Sequence, residues 1–371
     1  MRIGFDGTPL QHTRSGIGIY VEQLLSHLPL AHPEWEYLLY TNKPYSANGL
    51  ASVRPVAGYF PGSRWLWMQF KLPRLIPQNK VDVCHFMNNS APLRCPTPYA
   101  ITIHDASLFR FSQYHPRSRL LALRLLLPQV ARRAQAVITV SEASRRELID
   151  ILRLVPEKVH VVHNAAGQDF KPLRDQEQRA RLQQKYHLPS RFVLFVGTIE
   201  PRKNLLRLIA AFGQTQRDHP DCHLVLVGPE GWLMNGALAK ETAAADLIGK
   251  VHYLGTVPQA DLPGLYSLAT LFAFPSLHEG FGLPLLEAMA CGTPVLTSNC
   301  SSMPEVSGSA AYLVDPNSVA SIAEGLNYLL NSAVRREWYV EQGLARAQQF
   351  SWEQTAQQTA VIYEQIRAGH S

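Results

Sequence analysis

Short apolar runs alternate with amphipathic helical patterns in two successive series, and this rhythm constrains the chain more than any other feature. In the first series "RIGFD" (2–6), "YLLYT" (37–41), "VDVCHF" (81–86), "YAITIHD" (99–105), "AVITVS" (136–141) and "VHVVHN" (159–164) read as short buried strands. Between them, Ile19, Val21, Leu24, Leu25 and Leu28 fall at helical spacing after a loop holding Gly16 and Gly18, and Ser141 is placed to cap the helix "EASRRELIDIL". A polar stretch over 167–191 interrupts the pattern, which then restarts with "FVLFVG" (192–197), "CHLVLVG" (222–228), "VHYLG" (251–255), "LFAFPS" (271–276) and "PVLTS" (294–298). Strands this short and apolar, separated by helices, belong to parallel sheets covered on both faces. The expected fold class is α/β, two doubly wound domains facing across a cleft, with domains at 1–168 and 169–352. Such sheets bind ligands beyond the carboxyl ends of their strands, so the cleft is the place to look.

With 371 residues, 46% hydrophobic and 17% charged, the chain is long enough for two sizeable cores. Five cysteines, odd in number and with no C-x-x-C pair, argue against a zinc site or a disulfide scaffold and suit a reducing cytoplasm. The first ten residues lack the apolar run of a secretory signal, and no run of about 18 apolar residues occurs, so a cytoplasmic protein that spans no membrane is expected. The net charge of +6 is uneven: residues 1–180 carry 22 Lys and Arg against 13 Asp and Glu, residues 181–371 carry 13 against 16. The basic first half is either a surface that meets something anionic or an ordinary solvated face. No nucleic-acid recognition motif accompanies it.

One stretch stands apart, "HEGFGLPLLEAMACGTPV" (278–295). The strand ending near Ser276 leads into Gly280-Phe281-Gly282, and a helix is expected to start near Leu283 and Pro284, where proline's missing N–H is harmless. Gly292 is expected to end that helix in the left-handed conformation. A helix start at the carboxyl edge of a sheet offers backbone N–H groups and a positive dipole end to an anion. Glu279 and Glu287 stand on either side, each able to accept hydrogen bonds from a sugar hydroxyl. Taken singly, Glu279 could merely complement the helix dipole and Glu287 could be an exposed helix residue. Together they suit a phosphate between two hydroxyl-bearing rings, a nucleotide-sugar.

"EGFGLPLLE" resembles the E-x7-E motif of the family 4 retaining glycosyltransferases, which have the GT-B fold of two Rossmann-like domains. The resemblance spans nearly the whole chain, through "VITVSEASRREL", "HVVHNAAGQDF", "FVGTIEPRKN" (195–204), residues 278–316 and "FSWEQTAQQTAVIYEQI". It implies that Glu279 and the backbone of Phe281, Gly282 and Leu283 contact the donor sugar and phosphate, that Glu287 binds ribose hydroxyls, and that Lys203 binds phosphate. It also implies that His104, in "IHD", is aimed at the transferred sugar, that "SGIGIY" with Gly16 and Gly18 lies over the donor phosphate, and that a final helix over about 353–371 packs back on the first domain. Thr198 stands where the family commonly has arginine; Arg202 either supplies that guanidinium or is a surface residue.

The activity so implied is a metal-independent, retaining hexosyl transfer without cofactor, and the chain holds no Asp-x-Asp to clamp a metal on the diphosphate. The wording is most similar to bacterial mannosyltransferases of O-antigen and exopolysaccharide synthesis, so GDP-mannose is the expected donor, with UDP-glucose or another UDP-sugar as the alternative. The expected acceptor is a glycan or a lipid-diphosphate-linked saccharide. Two basic segments, 62–80 with Trp65, Trp67 and Phe70 and the Leu/Arg pattern 117–133, could rest on an anionic membrane or could be core with a solvated face. Among rivals, a nicotinamide-dependent oxidoreductase lacks its third glycine in "GIGIYV". A glycan phosphorylase would be longer, and a non-catalytic carbohydrate-binding partner would have no need of Glu279, Lys203 and Glu287 together.

Overall fold

The structure is a computed structural model that describes residues 1–11, 16–45, 50–60, 63–111, 117–231 and 236–369, with side chains in the helix from Arg117 described from residue 124 onward. Two compact units emerge: Met1–Asn164 together with Ser351–Ser371, and Ala165–Phe350. Both crossings fall a few residues ahead of the expected 168/169 and 352/353. The polar texture that signals the change in sequence begins only after the buried Asn164 has closed the first unit.

The first unit holds β1 (Arg2–Asp6), β2 (Glu36–Thr41), β3 (Val53–Ala57), β4 (Val83–Phe86), β5 (Tyr99–Thr102), β6 (Ala136–Thr139) and β7 (Val159–Val161), in the order β3-β2-β1-β4-β5-β6-β7. Every pairing is parallel; Gly4 at the centre of β1 faces Leu38 on one side and Cys84 on the other. The second unit holds β8 (Phe192–Val196), β9 (His223–Val227), β10 (Val251–Gly255), β11 (Leu271–Phe274), β12 (Val295–Ser298) and β13 (Ala311–Val314), ordered β10-β9-β8-β11-β12-β13 and again all parallel. In each sheet the chain winds outward from a central strand and then crosses to the other side. The direction of winding therefore reverses between β1 and β4, and between β8 and β11.

Central strands are buried on both faces, β4, β5, β6, β8, β11 and β12 without exception, which is why they read as unbroken apolar runs. The two strands that sequence reading passes over are edges. β3 carries Arg54 and Pro55 and is largely exposed, and β13 is buried only at its ends. Another departure concerns Gly16 and Gly18, which lie in the first turn of the helix Gly16–Ala31 rather than in a loop. A first turn lacks intrahelical N–H partners anyway, so glycine costs little there. The bulky stripe of that helix, Tyr20, Val21, Leu24 and Leu28, is buried as its spacing requires.

Helix Trp352–Ala368 belongs to the first unit and packs on helix Gly16–Ala31. Its Tyr363 hydroxyl lies 2.6 Å from His85 Nδ1 on β4, and His85 Nε2 lies 2.7 Å from Thr102 Oγ1 on β5. Thr102 Oγ1 is also 3.2 Å from the Tyr20 hydroxyl, so one hydrogen-bonded chain crosses the core from the last helix to the first. His85 is fully buried, and burial, aided by nearby His104, depresses its pKa to about 3.

The unfolded chain would take up this proton near pH 6.5 while the folded chain refuses it until about pH 3. Stability from this site is therefore complete above pH 6.5 and drains away as the pH falls towards 3. In urea melts, His85→Gln should shrink the loss of stability between pH 7 and pH 5 by about 2 kcal/mol; an unchanged pH difference would refute the buried neutral imidazole.

Candidate functional site

At the carboxyl edge of the second sheet, the winding reversal leaves the loops after β8 and β11 side by side. Backbone bonding joins them directly, Leu277 N–H donating to Arg202 O at 2.9 Å. The β8 loop forms a single 3-10 turn, Pro201–Lys203, ending on Asn204 with φ of 64°. Asn204 is buried, and its amide donates to Pro275 O (2.9 Å) beyond β11 and to Pro316 O (2.7 Å) beyond β13. Asparagine tolerates the left-handed conformation better than most residues, and its amide satisfies two carbonyls at once.

This turn delivers two cations to Glu279. Lys203 Nζ donates to Glu279 Oε1 at 2.7 Å and Arg202 Nη1 approaches Oε2 at 3.4 Å. Lys203 Nζ also lies 4.9 Å from the centroid of the Phe274 ring, its positive charge over the negative face. Burial by itself would raise the Glu279 pKa, but Lys203 and then Arg202 outweigh it and hold the carboxyl below its ordinary value. The Arg202 guanidinium is braced in turn: Nε and Nη2 donate to Glu200 Oε1 at 3.1 and 2.8 Å, and Nη1 donates to His278 O at 2.8 Å. Arg202 is thus no surface arginine; its side chain is 16% exposed.

Serines from the loop after β12 hold the other side of the turn. Ser301 Oγ donates to Glu279 O (2.6 Å) and accepts from Glu279 N (3.2 Å), while Ser302 Oγ is within bonding reach of both Glu279 O (3.0 Å) and Phe281 O (2.9 Å). The Phe281 side chain is buried edge-on against Phe350, centroids 5.9 Å apart. Gly282 then turns with φ of 95°, a conformation a Cβ would penalise, and the helix runs Leu283–Ala290 with Pro284 in its first turn. Among the described residues no side chain caps that helix start. Its far end closes as expected on Gly292 (φ 74°), with Thr293 N bonded to Ala288 O and Gly292 N to Met289 O.

Glu287 lies one turn into this helix and is buried, accepting a hydrogen bond from the Tyr266 hydroxyl at 2.9 Å. Thr198 follows β8 and is half-buried; a Cβ at the neighbouring Gly231 would fall 2.9 Å from its methyl group. Among the described residues no group of three or more His, Cys, Asp or Glu is placed to share a metal ion.

The sequence-derived residues therefore fall into two sets. Thr198, Arg202, Lys203, Glu279, Phe281, Gly282, Leu283 and Glu287 gather on the second unit's β8 and β11 loops and the helix that follows. Gly16, Gly18 and His104 lie in the first unit. His104 follows β5; its N–H donates to Asn89 Oδ1 (3.2 Å) and its Nε2 contacts Met87 O (3.1 Å). A carbonyl only accepts, so Nε2 carries the proton, and burial lowers the ring's pKa and keeps it neutral. Tyr20, from the helix that Gly16 opens, meets the His104 ring edge-on at 4.9 Å. Sequence reading missed Glu200, Asn204, Tyr266, Ser301 and Ser302. Glu200, two residues before Arg202, is the one a charge-pairing argument could have found.

Comparison with known proteins identifies the family. Residues 14–166 match the family model "Glycosyltransferase Family 4" and residues 176–346 match "Glycosyl transferases group 1". The chain is 32% identical to the O-antigen chain mannosyltransferase B of Escherichia coli, over 98% of this chain and 100% of that one. It is 34% identical to the serotype-specific mannosyltransferase WbdA of Escherichia coli over 60% of this chain, a region that makes up only 28% of that longer protein. Among solved structures, Anabaena HepE in complex with UDP-glucose superposes with a TM-score of 0.78 at 20% identity, covering 99% of each chain. Two parallel sheets, each with its own winding reversal, are the paired Rossmann-like domains of the GT-B fold. The chain belongs to the family 4 glycosyltransferases.

Removing one partner of a buried ion pair leaves the other charge stranded, whereas removing both can be nearly neutral. Glu279→Gln, which strands Lys203, should cost about 3 kcal/mol in denaturant unfolding, and Lys203→Met with Glu279→Gln should recover most of it. Additive losses in the double variant would show that the pair is not coupled.

Proposed function

We propose that the protein transfers a hexose, mannose from GDP-mannose, to a hydroxyl of a glycan or lipid-linked saccharide, in the building of an O-antigen or related polysaccharide. The observation that carries this reading is the buried cluster of Lys203, Arg202 and Glu279 beside the uncapped start of helix Leu283–Ala290. Support for mannose comes from the relatives: several are mannosyltransferases, including one of Mycolicibacterium hassiacum that is 32% identical over 65% of this chain, while others are D-inositol 3-phosphate glycosyltransferases.

The chemistry follows from charge. Breaking the anomeric bond leaves negative charge on a diphosphate. Lys203, Arg202 and the N–H groups at the helix start stabilise it from fixed positions, which avoids reorganisation during the step. Glu279, kept ionised by its two cations, accepts hydrogen bonds from hydroxyls of the donor sugar, and Glu287 does the same for ribose. Gly16 and Gly18 let the backbone of the first unit come near the donor phosphate. His104 supplies a neutral ring to the transferred sugar. The leaving phosphate takes the acceptor proton, so attack comes from the face it vacates and configuration is retained. No metal clamp takes part.

The exposed Trp65 (47%) and Phe70 (54%) share their segment with Lys71 and Arg74, and Leu125 (61%) is exposed in the helix Arg117–Arg133. Trp67 is not available to such a surface, being fully buried, and Leu127, Val130 and Ala131 form the core side of the second helix. We assign the exposed set to peripheral contact with the inner face of an anionic membrane, where a lipid-diphosphate-linked acceptor resides. No helix among the described residues is long and apolar enough to cross a membrane.

Glu279→Ala, Lys203→Ala and Glu287→Ala should each lower turnover at least about tenfold, or about 1.4 kcal/mol of barrier. Unchanged rates in all three would remove the assignment. Turnover should be highest with GDP-mannose in a panel that includes UDP-glucose, should survive a chelator, and should give an α product from an α donor by NMR. In flotation with anionic liposomes, Trp65→Ser with Phe70→Ser should lose most binding; equal flotation of the variant and unaltered protein would discard the membrane contact.

A further inference from the structure

At the carboxyl edge of the first sheet, between β1 and β4, a second charged cluster stands where its own winding reverses. Asp6 ends β1 with its side chain fully buried. Its Oδ1 accepts from Thr8 N (3.0 Å) and Thr8 Oγ1 (2.6 Å), and its Oδ2 accepts from Arg64 Nη2 at 2.8 Å. Arg64 Nε donates to Thr8 Oγ1, and Nη2 also donates to Ser90 Oγ at 3.1 Å. Ser90 Oγ in turn donates to Asn88 O at 2.9 Å. The guanidinium is thereby fixed along two of its three edges, while Arg64 remains 31% exposed and its Nη1 makes no hydrogen bond among the described residues.

Burying a carboxylate to hold an arginine is rarely a gain in stability, since an apolar pair of the same shape would do as well. What the arrangement secures is direction, because it aims one pair of N–H donors away from the core at the place where open α/β sheets bind their ligands. The same short loop after β4 serves His104. Met87 O and Asn89 Oδ1 bond to His104, and Ser90 bonds to Arg64. Four residues, Met87 to Ser90, span at most about 11 Å. Arg64 therefore lies a short distance from the ring assigned above to the transferred sugar, within reach of the next units of a bound saccharide.

We propose that Arg64 is an acceptor-recognition residue, donating from Nη1 to hydroxyl oxygens of the saccharide acceptor beyond the hydroxyl that reacts. The inference rests on the glycosyltransferase reading above. Asp6 already cancels the charge of Arg64, so the site favours a neutral oxygen over a phosphate, which would be drawn to an uncompensated cation.

The test is initial-rate kinetics of Arg64→Lys, which keeps a charge for Asp6 but loses the Nη1 donors, with a short mannose oligosaccharide as acceptor, offered once with a neutral alkyl aglycone and once with a phosphate. Calorimetry with GDP and with UDP reads the donor side. The acceptor KM should rise about tenfold or more for both acceptors, the worth of a hydrogen bond from a charged donor, while nucleotide affinity and donor KM stay within about twofold of the unaltered enzyme. Should Arg64→Lys not fold, Asp6→Asn with Arg64→Gln removes both charges together and is read the same way. An unchanged acceptor KM overturns the proposal, and so does a loss confined to the phosphate-bearing acceptor or a matching loss of nucleotide affinity. If the unaltered protein binds neither GDP nor UDP and transfers no sugar, the glycosyltransferase reading falls, and the role of Arg64 falls with it.

Discussion

Lys203 and Glu279 bring opposite charges together where little water reaches them, and the carboxyl edge of the second unit's sheet is arranged around that contact. The pair joins two loops that are far apart in sequence but adjacent in space because β8 and β11 are neighbours at the winding reversal. Desolvating either charge alone would be costly, so each loop needs the other to be in place. The surrounding bonds point the same way. Asn204 ties the β8 loop to β11 and β13, Arg202 is braced by Glu200 against the β11 loop, and Ser301 and Ser302 fasten Glu279 and Phe281 from beyond β12. These bonds hold the three loops to one another through the chain's own groups.

Glu279 and Glu287 illustrate how one motif gives two similar side chains different bonding partners. They are eight positions apart and both buried; the first is bonded to Lys203 and the second to the Tyr266 hydroxyl. The backbone between them makes the difference: Gly282 redirects the chain, so that one carboxylate stays at the sheet edge and the other enters the helix.

Much of this was legible in the chain itself, for identifiable reasons. The strand–helix rhythm reveals doubly wound sheets because buried parallel strands have no polar positions to disguise them. The helix start at Leu283 and its end at Gly292 are marked by proline and glycine, whose backbone limits are local. Other features carry no local mark. Ser301 and Ser302 reach Glu279 and Phe281 from 21 to 23 positions away in sequence, through hydroxyls that any loop could contain. β3 has too many exposed positions to look like a strand. Trp65 and Trp67 are two residues apart in one mixed segment, and only packing makes the first a surface residue and the second a core one. Arg202 could not be told from a surface arginine until Glu200 and the His278 carbonyl were seen to flank it.

The hydrogen-bonded chain from Tyr363 through His85 to Thr102 has a consequence for biosynthesis. Residues 165–350 are made, and can assemble, while β4 and β5 still lack the helix that completes their core. Until Trp352–Ala368 leaves the ribosome, His85 has no phenol to bond, and the surface reserved for Trp352 and Tyr363 stays wet. The first unit therefore cannot complete its core until the final helix has been synthesised.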